Sequence, residues 1–132
     1  MRYGDLVDGV DFPYLAKVTR LNVVTLAALA SAPAPPRGLA ASGAVTADTT
    51  LKWTLSPGAA GYRVWWRDTT APQWRYSRLA GSAAETVLKG VNIDDWFFGV
   101  SAIGADGFES PVVFPGPSGS FERLAPAAPA AP

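Results

Sequence analysis

The sequence contains neither cysteine nor histidine. Their absence removes thiol nucleophiles, disulfide frameworks, imidazole general bases and nearly every zinc or iron site. Charge is sparse too. Charged residues make up 17% of the chain, and eleven Lys+Arg balance eleven Asp+Glu for a formal net charge of zero. Non-specific nucleic-acid binding needs a positive surplus to displace counterions, so no nucleic-acid partner is expected. No run reaches the roughly 20 apolar residues of a membrane-crossing helix. Met1-Arg2 is followed by Asp5, Asp8 and Asp11, so no signal peptide pattern opens the chain. Carboxylate, hydroxyl, Lys and Tyr chemistry remain, and no constellation assembles them. The expectation is a binding or structural module, not an enzyme.

What is present is apolar. Hydrophobic residues are 48% of 132, enough core for one domain with long ends. Arg outnumbers Lys eight to three, and Ala and Pro are frequent, a bias that GC-rich bacterial genomes produce. Three zones follow one another: a helical lead over 1–31, a Pro-rich linker over 32–37 leading into a strand-rich unit over 38–115, and an Ala/Pro tail over 116–132 expected to be disordered.

In the lead, Asp11 is placed as an N-cap and Pro13 in the first helical turn, where its missing N–H costs little. The stretch from Tyr14 to Ala30 has no breaker. Leu15, Val18, Leu26 and Leu29 share a face that Asn22 interrupts, and Val23 and Val24 put apolar groups on other faces. Such a helix packs between other elements, so its expected partners are a further domain, a second copy through residues 14–30, or the following sandwich.

In the middle zone, Leu51, Trp53 and Leu55 alternate with Thr50, Lys52 and Thr54. Tyr62, Val64 and Trp66 then alternate with Arg63, Trp65 and Arg67. Strands are predicted over 73–79, 82–88 and 95–103, with Gly104-Ala105-Asp106-Gly107 as a hairpin turn and 111–114 as the closing strand. Short strands at regular spacing with turn signals between them mean an antiparallel sandwich.

The outward face of the third and fourth strands carries Arg63, Trp65, Arg67, Trp74, Arg75, Tyr76 and Arg78, with Arg63, Trp65, Arg67, Trp74 and Tyr76 the candidate binding residues. Exposed indoles beside guanidiniums can stack on a sugar, a peptide or a protein surface. The same residues can instead form an internal ladder in which Arg covers Trp across neighbouring strands. Asp5, Asp8 and Asp11 lack the ligand count and the glycine of a calcium loop and read as a solvated run ending in a cap. Asp94, Asp95, Asp106 and Glu109 are too scattered for paired-carboxylate catalysis. Lys17, Lys52 and Lys89 have no phosphate-loop context. No catalytic and no metal-binding residue is assigned.

The middle zone resembles a fibronectin type III domain over roughly 33–115. The resemblance rests on the Pro-rich lead-in, Leu51-x-Trp53, Tyr62-x-Val64-x-Trp66, Leu88, Trp96-x-Phe98-x-Val100-x-Ala102 and Gly107-x-Glu109-Ser110. It implies an all-β, seven-stranded antiparallel fibronectin type III-like (immunoglobulin-like) sandwich, here preceded by one long α-helix. Trp96 stands where these domains usually carry a corner Tyr, so that corner is expected to be built differently.

The stretch DLVDGVDFPYLAKVTRLNVVTLAALA, from Asp5 to Ala30, resembles the end of the catalytic domain of secreted bacterial zinc aminopeptidases, the co-catalytic di-zinc exopeptidases. DDWFFGVSAIGADGFES, from Asp94 to Ser110, is similar to the accessory domain that follows it in one branch. Asp5, Asp8 and Asp11 match that family's acidic spacing, and Met1 falls where its metal-binding His would stand. The resemblance implies a non-catalytic C-terminal module of a periplasmic or extracellular enzyme, with zinc held upstream and none here. The alternative from the residues alone is a stand-alone carbohydrate- or peptide-binding sandwich using the Trp/Arg face.

Overall fold

A computed structural model of the chain describes residues 6–43 and 47–116. Asp5 and the tail from residue 117 lie outside the described residues. A short 3-10 turn, Val7–Gly9, precedes helix α1, Phe12–Ser31. The Asp11 carboxylate accepts the Tyr14 N–H at 3.0 Å, and Pro13 lies in the first turn. The helix ends at Ala32, where the Ala/Pro run cannot continue it. No residue of α1 is buried, so it does not cover the sandwich.

Six strands follow among the described residues: β1 Arg37–Ser42, β2 Thr49–Thr54, β3 Ala59–Asp68, β4 Tyr76–Gly81, β5 Glu85–Leu88 and β6 Trp96–Gly104. They form two antiparallel sheets, ordered β1-β2-β5 and β4-β3-β6. The two-sheet sandwich is the fold class expected from the alternation. Leu51 and Trp53 on β2, Tyr62 and Val64 on β3, and Phe98, Val100 and Ala102 on β6 turn inward to meet Leu39 and Leu88. Each large apolar side chain so buried contributes about 1.5–3 kcal/mol. The Trp53 and Tyr62 rings meet at 5.4 Å, and the Tyr62 hydroxyl accepts the Ser56 N–H at 2.6 Å. Arg78 reaches from β4 to Thr86 and to the Val87 carbonyl, tying the two sheets at one edge.

Two expectations need correction. The seventh strand, predicted over 111–114, is an isolated bridge of Val113 to Val100 among the described residues. Pro111 and Pro115 flank it, and neither can donate to a ladder. The fourth strand begins at Tyr76 rather than Gln73, because 71–75 bend over the sheet instead of extending along it. At the start of β6, Trp96 packs edge-on against Tyr76 at 5.6 Å.

Candidate functional site

The outer face of the β4-β3-β6 sheet is built from β3 upward. Arg63, Trp65 and Arg67 point away from the core because Tyr62 and Val64 point into it. Register sets Ser101 opposite Arg63, Gly99 opposite Trp65 and Phe97 opposite Arg67. The small residues at 99 and 101 leave a shelf that larger side chains roof. Trp74 lies so close that a Cβ added to Gly99 would sit 2.9 Å from its ring, and the Val112 side chain presses on the same spot. Gly99 is required for close approach.

Guanidiniums interleave with these rings. The Arg63 guanidinium carbon stands 5.5 Å from the centre of Trp65. That of Arg67 stands 5.7 Å from Trp74 and 4.8 Å from Phe97, while its N–H groups reach the Ala71 carbonyl. Trp74 also meets Phe114 at 5.3 Å. A hydrogen-bond chain runs beneath: Trp65 Nε1 donates to Ser101 Oγ at 2.8 Å, Ser101 donates to Glu109, and Arg63 Nε donates to Glu109 Oε2 at 3.2 Å. The polar groups and ring faces are thus largely engaged with one another.

Arg63, Trp65, Arg67 and Trp74 share this face. Tyr76 does not. It pairs with Trp66, stacks on it at 5.7 Å, and so lies on the opposite side of the sheet with Arg78, the cross-strand partner of inward Val64. The bend before β4 breaks the alternation that linked Trp74 to Tyr76. Arg75 reaches Asp68 in an exposed pair at 3.4 Å. Reading the sequence alone missed Ser101 and Gly99. Their signal was present, since two small residues alternate with the apolar positions of β6 opposite Trp65.

A second feature is a cleft of about 260 Å³ between the edge of β1 and the start of β6. It is lined by Ala41, Ile93, Trp96, Phe97, Phe98, Phe114, Pro115 and Gly116, none of them charged. The remaining carboxylates serve local structure. Asp106 Oδ1 accepts the Phe108 N–H at 3.2 Å within the predicted hairpin turn, and Asp95 accepts from Asn92 at 2.9 Å. Asp8 sits in the 3-10 turn and Asp11 caps α1. No three acidic side chains converge among the described residues, and the sequence supplies no His or Cys. Zinc therefore does not fit this part of the chain. No described helix is long and apolar enough to cross a membrane.

No family model matches the chain. It is similar to probable zinc metalloproteases of filamentous fungi. It is 38% identical over 119 residues to one from Pyrenophora teres, covering 88% of this chain and 24% of that protein. It is 40% identical over 118 residues to one from Leptosphaeria maculans, covering 87% and 27%. The chain thus spans about a quarter of the length of these curated relatives. They are fungal, where composition and resemblance had pointed to bacteria.

Among solved structures, a fibronectin type III-like protein from Clostridium thermocellum matches with a TM-score of 0.54 at 26% identity, covering 62% of this chain and 86% of that one. A titin module from human cardiac muscle matches at 0.50 and 27%, with the same coverage. The fibronectin type III domain of human collagen XX matches at 0.54 and 22%, covering 64% and 82%, and bears on the fold alone. Strands β1–β6 thus form a fibronectin type III-like sandwich within a chain that is similar, over most of its length, to one quarter of a probable zinc metalloprotease.

Proposed function

We propose that the chain is the non-catalytic C-terminal accessory module of an exported zinc metallopeptidase, with peptide-bond hydrolysis carried by a domain outside this sequence. The observation that carries the reading is the extent of the similarity. A match covering 88% of 132 residues spans about 116 positions, so any placement of it includes residues 17–116. The fibronectin-like matches cover only 62–64%. The aligned stretch therefore takes in most of α1 together with the sandwich, which supports reading the two as neighbours in the parent protein.

On this reading, residues 1–31 form the end of the catalytic domain, and the apolar faces of α1 pack into it. The 32–37 segment hands the chain to the module over 38–115. The finer assignment is an aminopeptidase acting in the periplasm or outside the cell, supported by the resemblance of 5–30 to the end of such catalytic domains. A fold of this class hosts many functions, so the sandwich itself specifies none.

The test compares two polypeptides on aminoacyl-anilide substrates with zinc supplied. The 132-residue chain is expected to be inactive, and a longer product that includes the upstream coding region is expected to be active. Zinc-dependent hydrolysis by the short chain would overturn the proposal. So would an upstream region coding for no domain rich in His, Asp and Glu.

A further inference from the structure

Three pieces of chain meet at one end of the sandwich. Register sets Arg37, the first residue of β1, against Thr54, the last of β2. It also sets Ala59, the first of β3, against Gly104, the last of β6. The 55–58 turn, the 105–108 turn and the segment arriving from α1 therefore share that end. Both turns are closed by backbone bonds: the Ala59 N–H donates to the Ser56 carbonyl at 3.2 Å, and the Gly104 N–H to the Phe108 carbonyl at 2.9 Å. They hold two large apolar side chains in solvent, Leu55 at 53% exposed and Phe108 at 40%.

The 32–36 segment is not a free tether. Pro36 is buried and Pro33 half-buried. A Cβ added to Gly104 would meet Asp106 Oδ1 at 2.6 Å and Pro33 Cδ at 3.4 Å, so turn and linker close in on the same glycine. Pro33, Pro35 and Pro36 fix their own φ and hold the residues before them extended, as Ala32 is at ψ 147°. The linker also borders a groove of about 370 Å³, with Ala34, Pro35 and Arg37 along one side and Leu55, Ser56 and Pro57 along the other. Arg37 is the only charge on that groove, and it stands in no ion pair among the described residues.

Reach decides what can cover this end. Leu29, half exposed, is four residues from Pro33, at most about 14 Å of extended chain. A small folded domain is about 30 Å across. A body that receives Leu26 and Leu29 therefore cannot stand clear of a linker held against the sandwich. The chain spans about a quarter of its curated relatives, which leaves room for such a body in the remaining length.

We propose that this end of the sandwich, with Leu55, Pro57, Phe108 and Arg37, is the surface on which the catalytic domain docks. That domain sets an apolar patch over Leu55 and Phe108 and a carboxylate against Arg37. The inference rests on reading the chain as a metallopeptidase module, and it adds that the module is braced at a fixed angle instead of trailing from its linker. Contacts between domains of one chain are typically more polar than permanent interfaces, and two apolar side chains beside one guanidinium suit that kind of surface.

The test labels introduced cysteines, since the chain has none of its own. Leu55→Cys, Phe108→Cys and Val87→Cys are each made in the longer product that includes the upstream coding region. Val87 matches Phe108 in exposure but pairs with Thr50, toward the far end of β2. Maleimide labelling, located by peptide mass spectrometry, is expected to be about tenfold slower at 55 and 108 than at 87 in the active longer product. In the 132-residue chain carrying Leu26→Glu and Leu29→Glu to keep α1 from pairing, the three positions are expected to label at similar rates. Arg37→Glu with Leu55→Asp in the Phe108→Cys longer product is expected to restore fast labelling at 108, and continued protection there overturns the proposal. An active longer product that labels at 55 and 108 as fast as at 87 overturns the docking surface and leaves the metallopeptidase reading standing. A longer product without peptidase activity overturns that reading and the inference with it. Slow labelling at 55 and 108 in the 132-residue monomer also overturns the docking surface, because the cover then comes from within this chain.

Discussion

Ser101 is the residue on which the outer face turns. It is fully buried although it sits on the side of β6 away from the core, because Trp65, Trp74 and the closing segment roof that side as well. Its hydroxyl takes the Trp65 N–H and gives its own proton to Glu109, which also holds Arg63. Ser101→Ala leaves a partly buried indole donor and a carboxylate short of partners. Stability is expected to fall by about 1–3 kcal/mol, the cost of unsatisfied polar groups rather than the smaller net worth of one hydrogen bond. Urea denaturation followed by tryptophan fluorescence measures it. A double-mutant cycle separates this from simple cavity formation: Trp65→Phe should cost less in the Ser101→Ala background than in the wild type, since the donor goes with its acceptor. Equal costs in both backgrounds would mean that the Trp65–Ser101 bond contributes nothing.

At the scale of the element, α1 and the sandwich hold together by different means. The sandwich is stabilised by inward side chains from two sheets, whereas α1 buries none of its own. Its support is local: the Asp11 cap and the backbone ladder, against Val18, Thr19, Asn22, Val23, Val24 and Thr25, which are mediocre helix formers. Asp11→Ala is expected to lower helix content in far-UV circular dichroism, as loss of a cap worth about 0.5–2 kcal/mol requires. The urea midpoint of the sandwich should not move. A shifted midpoint would show that helix and sandwich unfold as one unit. The cap, Pro13 and the absence of breakers made α1 legible in the sequence, and strict alternation did the same for β2, β3 and β6. β4 was displaced and Tyr76 put on the wrong face because period-2 reasoning cannot see a bend such as the one at 71–75. The Trp/Arg face was legible as a cluster, but its hydrogen-bond chain was not, since Ser101 and Glu109 meet Arg63 and Trp65 only across strands. The closing segment failed as a strand for a reason the sequence does state, prolines at 111 and 115.

Across the whole molecule, the imbalance lies in the helix. Leu21, Val24 and Leu26 are each about two-thirds exposed, and Leu15 and Leu29 are about half exposed. Monomeric proteins rarely leave this much apolar surface open, and here it spreads over more than one face of α1, which fits a helix made to pack against a partner. In the proposed parent it is the catalytic domain. When the 132-residue chain is made alone, that surface is expected to pair with a second copy, since each buried Leu or Val contributes about 1.5–3 kcal/mol. Light scattering should then show mass rising with concentration, while Leu26→Glu combined with Leu29→Glu should return the chain to a monomer with an unchanged sandwich midpoint. Appending the upstream domain to the wild-type chain should abolish the association as well, because the two partners compete for the same apolar side chains. A chain that stays monomeric at high concentration, with amides 14–30 exchanging as fast as in an unfolded peptide, would remove the argument that α1 is shaped for a partner.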